Sequence, residues 1–554
     1  MTNVNALILV VLLLPVGCAL SAQTANITPE DPHIQNGTYD IIIKDGNIID
    51  GTGRPRFLGN IGIKSGLLYL LESGVETASL ERIDATGLVV APGFIDVHSH
   101  TPRSIAEETK RLNEACIRQG VTTVVGGPDG QLAPSAIIRM KKSYRQNGIG
   151  TNVAFYVGHN GIRTEVMGYD QQREPVDVEL DMMKRLVREG MELGAVGLST
   201  GLMYEPGMHS TTDEVVALAS QVAPYKGIYD SHVRNPVLAW LESHREALEI
   251  GHRAGIPVKF AHLKEVGLHN TGLTEELISM VEQARREGVE VVSDQYPYDA
   301  AGMRITLFKI LIVSDDPVQN AALHGDFFFD LEAFLNEEEN RRLAQQWSEN
   351  GIDGGFSWIK AVGYTSFRIV SSSDYPELVG KYISELAEER NVHPFDLICD
   401  LLIGAKEPVQ IKGGIKEKTV QKIMRQPWNM IASDGVYVTE RSRAVGHPRS
   451  TGTFPRVLGH YVREKRLFSL EEGIQKMTLF PADFIGLYSR GRLKNGFPAD
   501  IAIFDPYTIA DHSTYDEPNK YAKGVLHVLV NGTFVLRDGK MTGKAPGRAL
   551  ARER

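Results

Sequence analysis

Cysteine is scarce in this chain: three residues among 554. That excludes a disulfide framework, so the fold must be held by its core. Basic blocks are absent too. Lys and Arg number 59 against 69 Asp and Glu, for a formal net charge of −10. No positive stripe of the kind a nucleic-acid partner requires is present. Internal repeats and low-complexity tracts are also lacking, which argues against a solenoid. The apolar run Ala6 to Leu14 is unbroken but too short to cross a bilayer as a helix.

What is present starts at that run. Small residues follow at Gly17, Ala19, Ser21 and Ala22, the pattern of a secretory signal peptide over residues 1–22. The expected location is secreted or periplasmic, with no transmembrane helix in the mature chain. A second reading stays open: a lipoprotein signal with Cys18 lipidated, giving a membrane anchor. Against it, Pro15 stands where such signals usually carry leucine; against the secretory signal itself, the segment before the apolar run has no Lys or Arg.

At 554 residues, the chain needs either several domains or one large α/β barrel. "YDIIIKDGNIIDGTGRPRFLGNIGIKSGLLYLLE" has β-branched runs broken by Asp-Gly and Ser-Gly turns. "GVLHVLVNGTFVLRDGK" has the same texture, with Asn531-Gly532 as its turn. A small β-sandwich domain over 37–92 and 486–554, built from both termini, is expected. Between the ends, eight strand-like runs alternate with helices: "FIDVHSH", "TTVVGGPD", "NVAFYVGHN", "AVGLSTG", "GIYDSH", "VKFAHLK", "VEVVSDQYPY" and "NMIASDG". One intervening segment places Leu273, Leu277, Ile278, Val281 and Ala284 on an apolar face at helical period. This alternation predicts a (β/α)8 TIM-like barrel over 93–485. An excess at about 303–428, including "YPELVGKYISELAEER", is too long for a loop and predicts an inserted lid subdomain.

In a strand, residues i and i+2 face the same way, so His98 and His100 would share a face at the barrel mouth. Two adjacent imidazoles call for a shared divalent ion. His232 closes "GIYDSH", His262 closes "VKFAH" and Asp434 closes "NMIASD". Each alone is a satisfied core histidine or a capping aspartate. Together they put a ligand set at the ends of four strand-like runs.

"DGNIIDGTGRPR", "GLVVAPGFIDVHSH", "GLSTGLMYEPG", "SDQYPYDA", "SDGVYV", "GHPRSTGTFPRVLGHYVRE" and "RGRLKNGFPADIAIFDP" resemble the D-aminoacylases, or N-acyl-D-amino-acid deacylases, of the metal-dependent amidohydrolase superfamily. The resemblance covers nearly the whole chain beyond the leader. It implies a hydrolase of carbon–nitrogen bonds that uses one or two Zn2+ ions. His98 and His100 match a metal pair, and His232 and His262 the ligands of a second position. Asp434 matches the aspartate that touches the metal and acts as general base and acid, with metal-activated water as nucleophile. Lys264 and Tyr204 match groups at the substrate carboxylate, and Arg449 matches a substrate arginine. The implied partner is a small-molecule N-acyl-D-amino acid.

One stretch departs from the family. Where the D-aminoacylases read Gly-Asn-Cys-Gly, this chain has "GGPDG", with Asp129 at the cysteine's place. Aspartate is a harder ligand than thiolate. Asp129 as a bridging ligand, a one-metal site, Glu205 reaching in, and Asp129 as part of a Pro-Asp-Gly turn all stay open. So do two rival functions: an amidohydrolase for a dipeptide or cyclic amide, and a non-catalytic metal- or ligand-binding barrel. His159 and Arg163 are candidate supporting groups, and Tyr296 and Tyr298 candidate pocket walls.

Overall fold

The structure, a computed structural model, describes residues 38–71, 78–301, 305–306, 310–311, 331–351, 357–442 and 446–553. The predicted leader, 1–22, lies outside the described residues.

The described residues begin with β1 (Tyr39–Ile48), β2 (Phe57–Lys64), β3 (Leu67–Leu71), β4 (Ser79–Asp84) and β5 (Val89–Pro92). Ser65 and Gly66, both at positive φ, make the tight turn between β2 and β3. Asp45-Gly46, expected to be a turn, is instead a bulge inside β1, where the register slips between Ile43 and Gly46. Apolar residues on both sides of the bulge, Ile41, Ile43 and Ile48, are buried, so the strand runs on rather than reversing.

From β5 the chain passes directly into the barrel. Its strands are β6 (Phe94–Asp96), β7 (Val121–Gly126), β8 (Asn152–Gly158), β9 (Gly197–Gly201), β10 (Ile228–His232), β11 (Val258–Phe260) and β12 (Val291–Gln295). The insertion then supplies a small antiparallel sheet of β13 (Ile305–Thr306), β14 (Arg368–Ser371) and β15 (Gln410–Lys412), before β16 (Asn429–Ile431) completes the barrel. The eight barrel strands lie in the order β16-β12-β11-β10-β9-β8-β7-β6, all parallel. The two end strands meet just past their last residues. There the Asp434 N–H donates to His98 O and the His100 N–H to Gly435 O, each at 2.9 Å. Ile95, Val125, Ala154, Tyr156, Ile228, Val292 and Met430 form one buried cluster, and side chains from strands around the whole sheet meet only in a barrel's interior.

Helices cover the outside. Helix Thr274–Arg286 buries Thr274, Leu277, Val281 and Ala284, a stripe at helical spacing, with Leu273 and Ile278 packed at its edge. Glu275 and Glu276 sit in its first turn and Arg285 and Arg286 in its last, complementing the helix dipole. Gly93, between β5 and β6, has no room for a side chain: a Cβ there would lie 2.7 Å from Thr122 Cβ.

The insertion has its own core, with Phe367, Ile369, Leu386, Phe395, Ile398 and Ile411 buried together. Val237 and Val266, from loops after β10 and β11, join that cluster and tie it to the barrel mouth. The stretch "YPELVGKYISELAEER", helical in its residue pattern, is only half helix. Pro376–Leu378 is a single turn, and the helix runs Ile383–Arg390. Gly380, at φ 94, breaks the path between them. The chain ends in β17 (Ile501–Phe504), β18 (Val525–Val530), β19 (Thr533–Arg537) and β20 (Lys540–Met541). Asn531 (φ 48) and Gly532 (φ 79) make the expected turn between β18 and β19. β17 pairs antiparallel with β5, so both chain ends share one nine-stranded sheet.

Candidate active site

The ends of β6, β7, β10, β11 and β16 converge at one point. β6 stops at Asp96, so His98 and His100 lie beyond the strand and not within it. They still face the same cluster, because Ser99 between them bridges to Gly435. Their ring centroids are 5.5 Å apart. Asp96 accepts from the Ser433 N–H at 2.9 Å and from the Ser433 hydroxyl, which anchors the turn that carries Asp434.

Asp434 Oδ1 is 3.0 Å from His100 Nε2 and 3.5 Å from His98 Nε2. Its Oδ2 accepts from Arg449 Nη1. Burial opposes the charge on Asp434, but Arg449 and His98 hold its pKa well below the usual carboxylate range. Burial also works against charging His98. There Asp434, Asp294 and Asp129 prevail and raise its pKa to about 9.

His232 Nδ1 and His262 Nε2 approach to 2.7 Å. His262 is kept neutral: burial, then the nearby Lys264 and His232, lower its pKa to about 3. Lys264 Nζ donates to the His262 carbonyl at 2.8 Å and lies 2.8 Å from its Nδ1, while Nε2 of that ring faces the cluster. Burial lowers Lys264 itself to about 8, with Arg449 adding to the shift and Asp434 opposing it.

Asp129 belongs to the turn and to the cluster at once. Its backbone is left-handed at φ 57, following Pro128. That conformation swings a buried carboxylate into the middle of the histidines. Oδ1 is 3.5 Å from His232 Nδ1 and 3.7 Å from both His98 Nε2 and His262 Nε2, and Oδ2 is 3.6 Å from His100 Nε2. The imidazoles hold its pKa well below the ordinary value, although burial pulls the other way. Glu205 does not reach in. It lies exposed and pairs with His209 at 2.8 Å.

Three sets of donor atoms lie within 4.8 Å of one another: His98, His100 and Asp129; Asp129, His232 and His262; His98, His262 and Asp434. Four buried atoms on these residues, His98 Nδ1 and Nε2, Asp129 Oδ1 and His232 Nε2, have no hydrogen-bond partner among the described residues. Such orphans are costly unless a cation takes them up. Imidazole nitrogen with carboxylate oxygen is a donor set that suits zinc. Asp129 appears in two of the sets, so it stands where it could touch two ions.

The pocket over the cluster is lined by Tyr204, Lys264 and Arg449, with Pro236, Val237, Val266, Tyr296 and Trp358 among the remaining walls. The Tyr204 ring lies 4.5 Å from His232 between centroids. Arg449 stacks 4.8 Å over Tyr296, and its grip on Asp434 makes it more than a substrate arginine. Tyr298 is packed against His447 instead and is absent from the lining. His159 and Arg163 are turned to Glu214, in an ion cluster away from the histidines.

Sequence reasoning missed a layer below the cluster. Asp230, Lys259 and Asp294, on β10, β11 and β12, are fully buried. Lys259 Nζ is 2.8 Å from Asp230 Oδ1 and also contacts Asp294 Oδ2. Burial disfavours its charge, yet the two carboxylates raise its pKa well above the usual value. The signal was a charge inside each apolar run, "YDSH", "VKF" and "VVSD".

Residues 381–536 match the model of an amidohydrolase family. A D-aminoacylase of Alcaligenes xylosoxydans xylosoxydans is 32% identical over 540 residues, covering 93% of this chain and 98% of that protein. The crystal structure of N-acyl-D-glutamate deacylase from Bordetella bronchiseptica, in complex with zinc and a phosphonate mimic of the tetrahedral intermediate, is 28% identical. It superposes with a TM-score of 0.73 over 93% of this chain and 100% of its own. A D-aminoacylase structure concerned with a binuclear metal centre is 29% identical, with a TM-score of 0.72 over 93% and 100% of the two chains.

Proposed function

This chain belongs to the D-aminoacylase family, and from that premise we propose that it hydrolyses the amide bond of N-acyl-D-amino acids to a carboxylate and a D-amino acid. His98, His100, Asp129, His232, His262 and Asp434 would hold the zinc. The observation that carries this reading is the Asp129 carboxylate, within 3.5 to 3.7 Å of four imidazole nitrogens beneath one pocket.

Bound there, zinc supplies Lewis acidity, polarising the acyl oxygen and acidifying water. The rest of the chemistry falls to the protein. Asp434 is charged at neutral pH, and Arg449 fixes one of its oxygens. It accepts a proton from the attacking water as the carbon–oxygen bond forms. It then passes that proton to the amide nitrogen as the carbon–nitrogen bond breaks, so the amine leaves neutral. Lys264 offers an ammonium to the substrate carboxylate, and Tyr204 stands at the pocket wall beside His232. Pro236, Val237, Val266 and Trp358 offer the amino-acid side chain an apolar wall and keep water from the reacting bond. The leader over 1–22 supports export, with the mature chain free or held by lipid at Cys18.

The test is a panel of N-acetyl-D- and N-acetyl-L-amino acids on zinc-loaded protein. Release of D-amino acids should be abolished by a chelator and restored by zinc. Equal turnover of both enantiomers, or none on the panel, refutes the proposal.

A further inference from the structure

Below the ligand cluster, β10, β11 and β12 carry Asp230, Lys259 and Asp294 side by side. Asp230 and Lys259 are register partners across two strands. All three are inaccessible to solvent. A lysine so deep in a barrel is tolerated only when paired. Here its ammonium lies between two carboxylates, 5.6 Å over the Tyr156 ring. Among the described residues neither Asp230 oxygen has a hydrogen-bond partner, so the Lys259 charge, 2.8 Å from Oδ1, is what offsets that carboxylate.

Asp294 ties this floor to the cluster above. Its Oδ1 accepts the backbone N–H of His262 at 2.7 Å. Its Oδ2, the oxygen that touches Lys259, lies 3.8 Å from His98 Nδ1, an ion-pair distance longer than a hydrogen bond, and among the described residues that buried nitrogen has no hydrogen-bond partner. The opposite edge of the same ring, Nε2, faces Asp434 at 3.5 Å and Asp129 at 3.7 Å. Donor atoms of His98, Asp230 and Asp294 all lie within 4.8 Å of one another, a grouping that could itself hold a cation, and Lys259 is the cation that sits there.

We propose that Lys259 is a positioning residue: gripped by Asp230 and Asp294, it pins the Asp294 carboxylate on the Nδ1 edge of His98 and so presents Nε2 of that ring to the bound ion. The inference rests on the reading of His98 as an ion ligand. Partners that orient ligating histidines typically change metal affinity by about 10- to 100-fold when removed.

The single variant Lys259→Met would leave two like charges facing each other in the core, which opposes folding. The informative variant is therefore the double change Asp230→Asn with Lys259→Met, which removes the pair together. Zinc affinity, measured by competition with a chromophoric chelator, should fall by about 10- to 100-fold in a variant whose circular dichroism matches the parent's. Unchanged affinity in that folded variant overturns the proposal. A second measurement needs no variant: 15N spectra of histidine-labelled parent protein, loaded with zinc, should show His98 as the Nδ1–H tautomer. The Nε2–H tautomer overturns the proposal. If the parent binds no zinc, the ligand reading fails as well. If the parent binds zinc and turns over substrate while the double variant binds as tightly, the Lys259 inference alone fails.

Discussion

Replacing Asp434 by asparagine keeps the shape of the side chain and deletes its charge. Two side-chain contacts are at stake, Oδ1 to His100 at 3.0 Å and Oδ2 to Arg449. A guanidinium only donates, so the asparagine oxygen can stay on Arg449 while its N–H turns to His100. The loop is also held by the backbone, through the Asp434 N–H to His98 O at 2.9 Å. Two of the three candidate ion sets do not include Asp434, so zinc content should be retained. What disappears is the proton acceptor. A positioned general base contributes roughly 10²- to 10⁴-fold, or about 3 to 5 kcal/mol of barrier. The expected result is a kcat lower by that factor, with KM changed little, because the interaction matters only as the proton moves. Initial rates of D-amino acid release, with zinc per chain measured by plasma emission, check both halves. A kcat within about tenfold of the parent's, at full zinc content, refutes the role of base. Loss of zinc together with activity would make Asp434 a ligand first.

Asp129→Asn keeps a residue that tolerates the left-handed turn but removes the charge facing four imidazoles, so zinc per chain should drop while the protein stays folded. Full zinc content in that variant would return Asp129 to the turn alone. Lys264→Met removes a charge-assisted contact of about 1.5 to 3 kcal/mol, so KM should rise by about 10- to 150-fold with kcat nearly unchanged. A matching fall in kcat would show that Lys264 acts in the chemical step. Burial lowers His244, bonded through Nδ1 to Trp240 O, from 6.5 to about 4. The unfolded chain then binds the proton more readily, so this contribution is complete above pH 6.5 and is lost as pH falls toward 4. That loss amounts to about 3 kcal/mol, and urea unfolding of His244→Gln should show a shallower acid limb than the parent.

The barrel was legible because parallel strands covered on both faces write themselves as near-continuous apolar runs. Each of the eight runs read from the sequence overlaps a barrel strand, and the polar residues that end five of them, His98 and His100, Asp129, His232, His262 and Asp434, are the ones that converge. Asp129 was legible only as an alternative between turn and ligand. The structure makes these one thing, since the turn is what delivers the carboxylate. The charged floor was harder to see. Asp230, Lys259 and Asp294 belong to three different runs, and their pairing depends on register between strands. Each alone is an anomaly in an apolar strand. Only strand order puts the lysine between the two acids. The contact of Arg449 with Asp434 was hidden in the sequence for a similar reason: it crosses from a helix start to the turn after β16.

Backbone conformation links these observations. Asp129, His262 and Asp434 all sit in the left-handed region, at φ 57, 36 and 47. Such conformations cost of order 1 to 3 kcal/mol each and persist only where the surroundings over-determine them. Here each has an identifiable hold. Gly130 N–H donates to Ser199 Oγ at 3.1 Å beside Asp129, the His262 N–H to Asp294 Oδ1 at 2.7 Å, and the Asp434 N–H to His98 O at 2.9 Å. A left-handed residue just past a strand turns its side chain back over the barrel mouth instead of letting the chain run on outward. Three donors are brought over one point in that way, from strands that do not neighbour one another in sequence. The bonds that hold them come from the barrel itself, so an ion-binding geometry is stored in the protein before any ion arrives. Removing one hold, as in Asp294→Ala, should therefore loosen zinc binding more than it loosens the fold. The comparison that decides this is the shift in zinc affinity against the shift in urea midpoint for the ion-free protein. A midpoint that collapses while affinity per folded molecule is unchanged would show that Asp294 serves the fold and not the site.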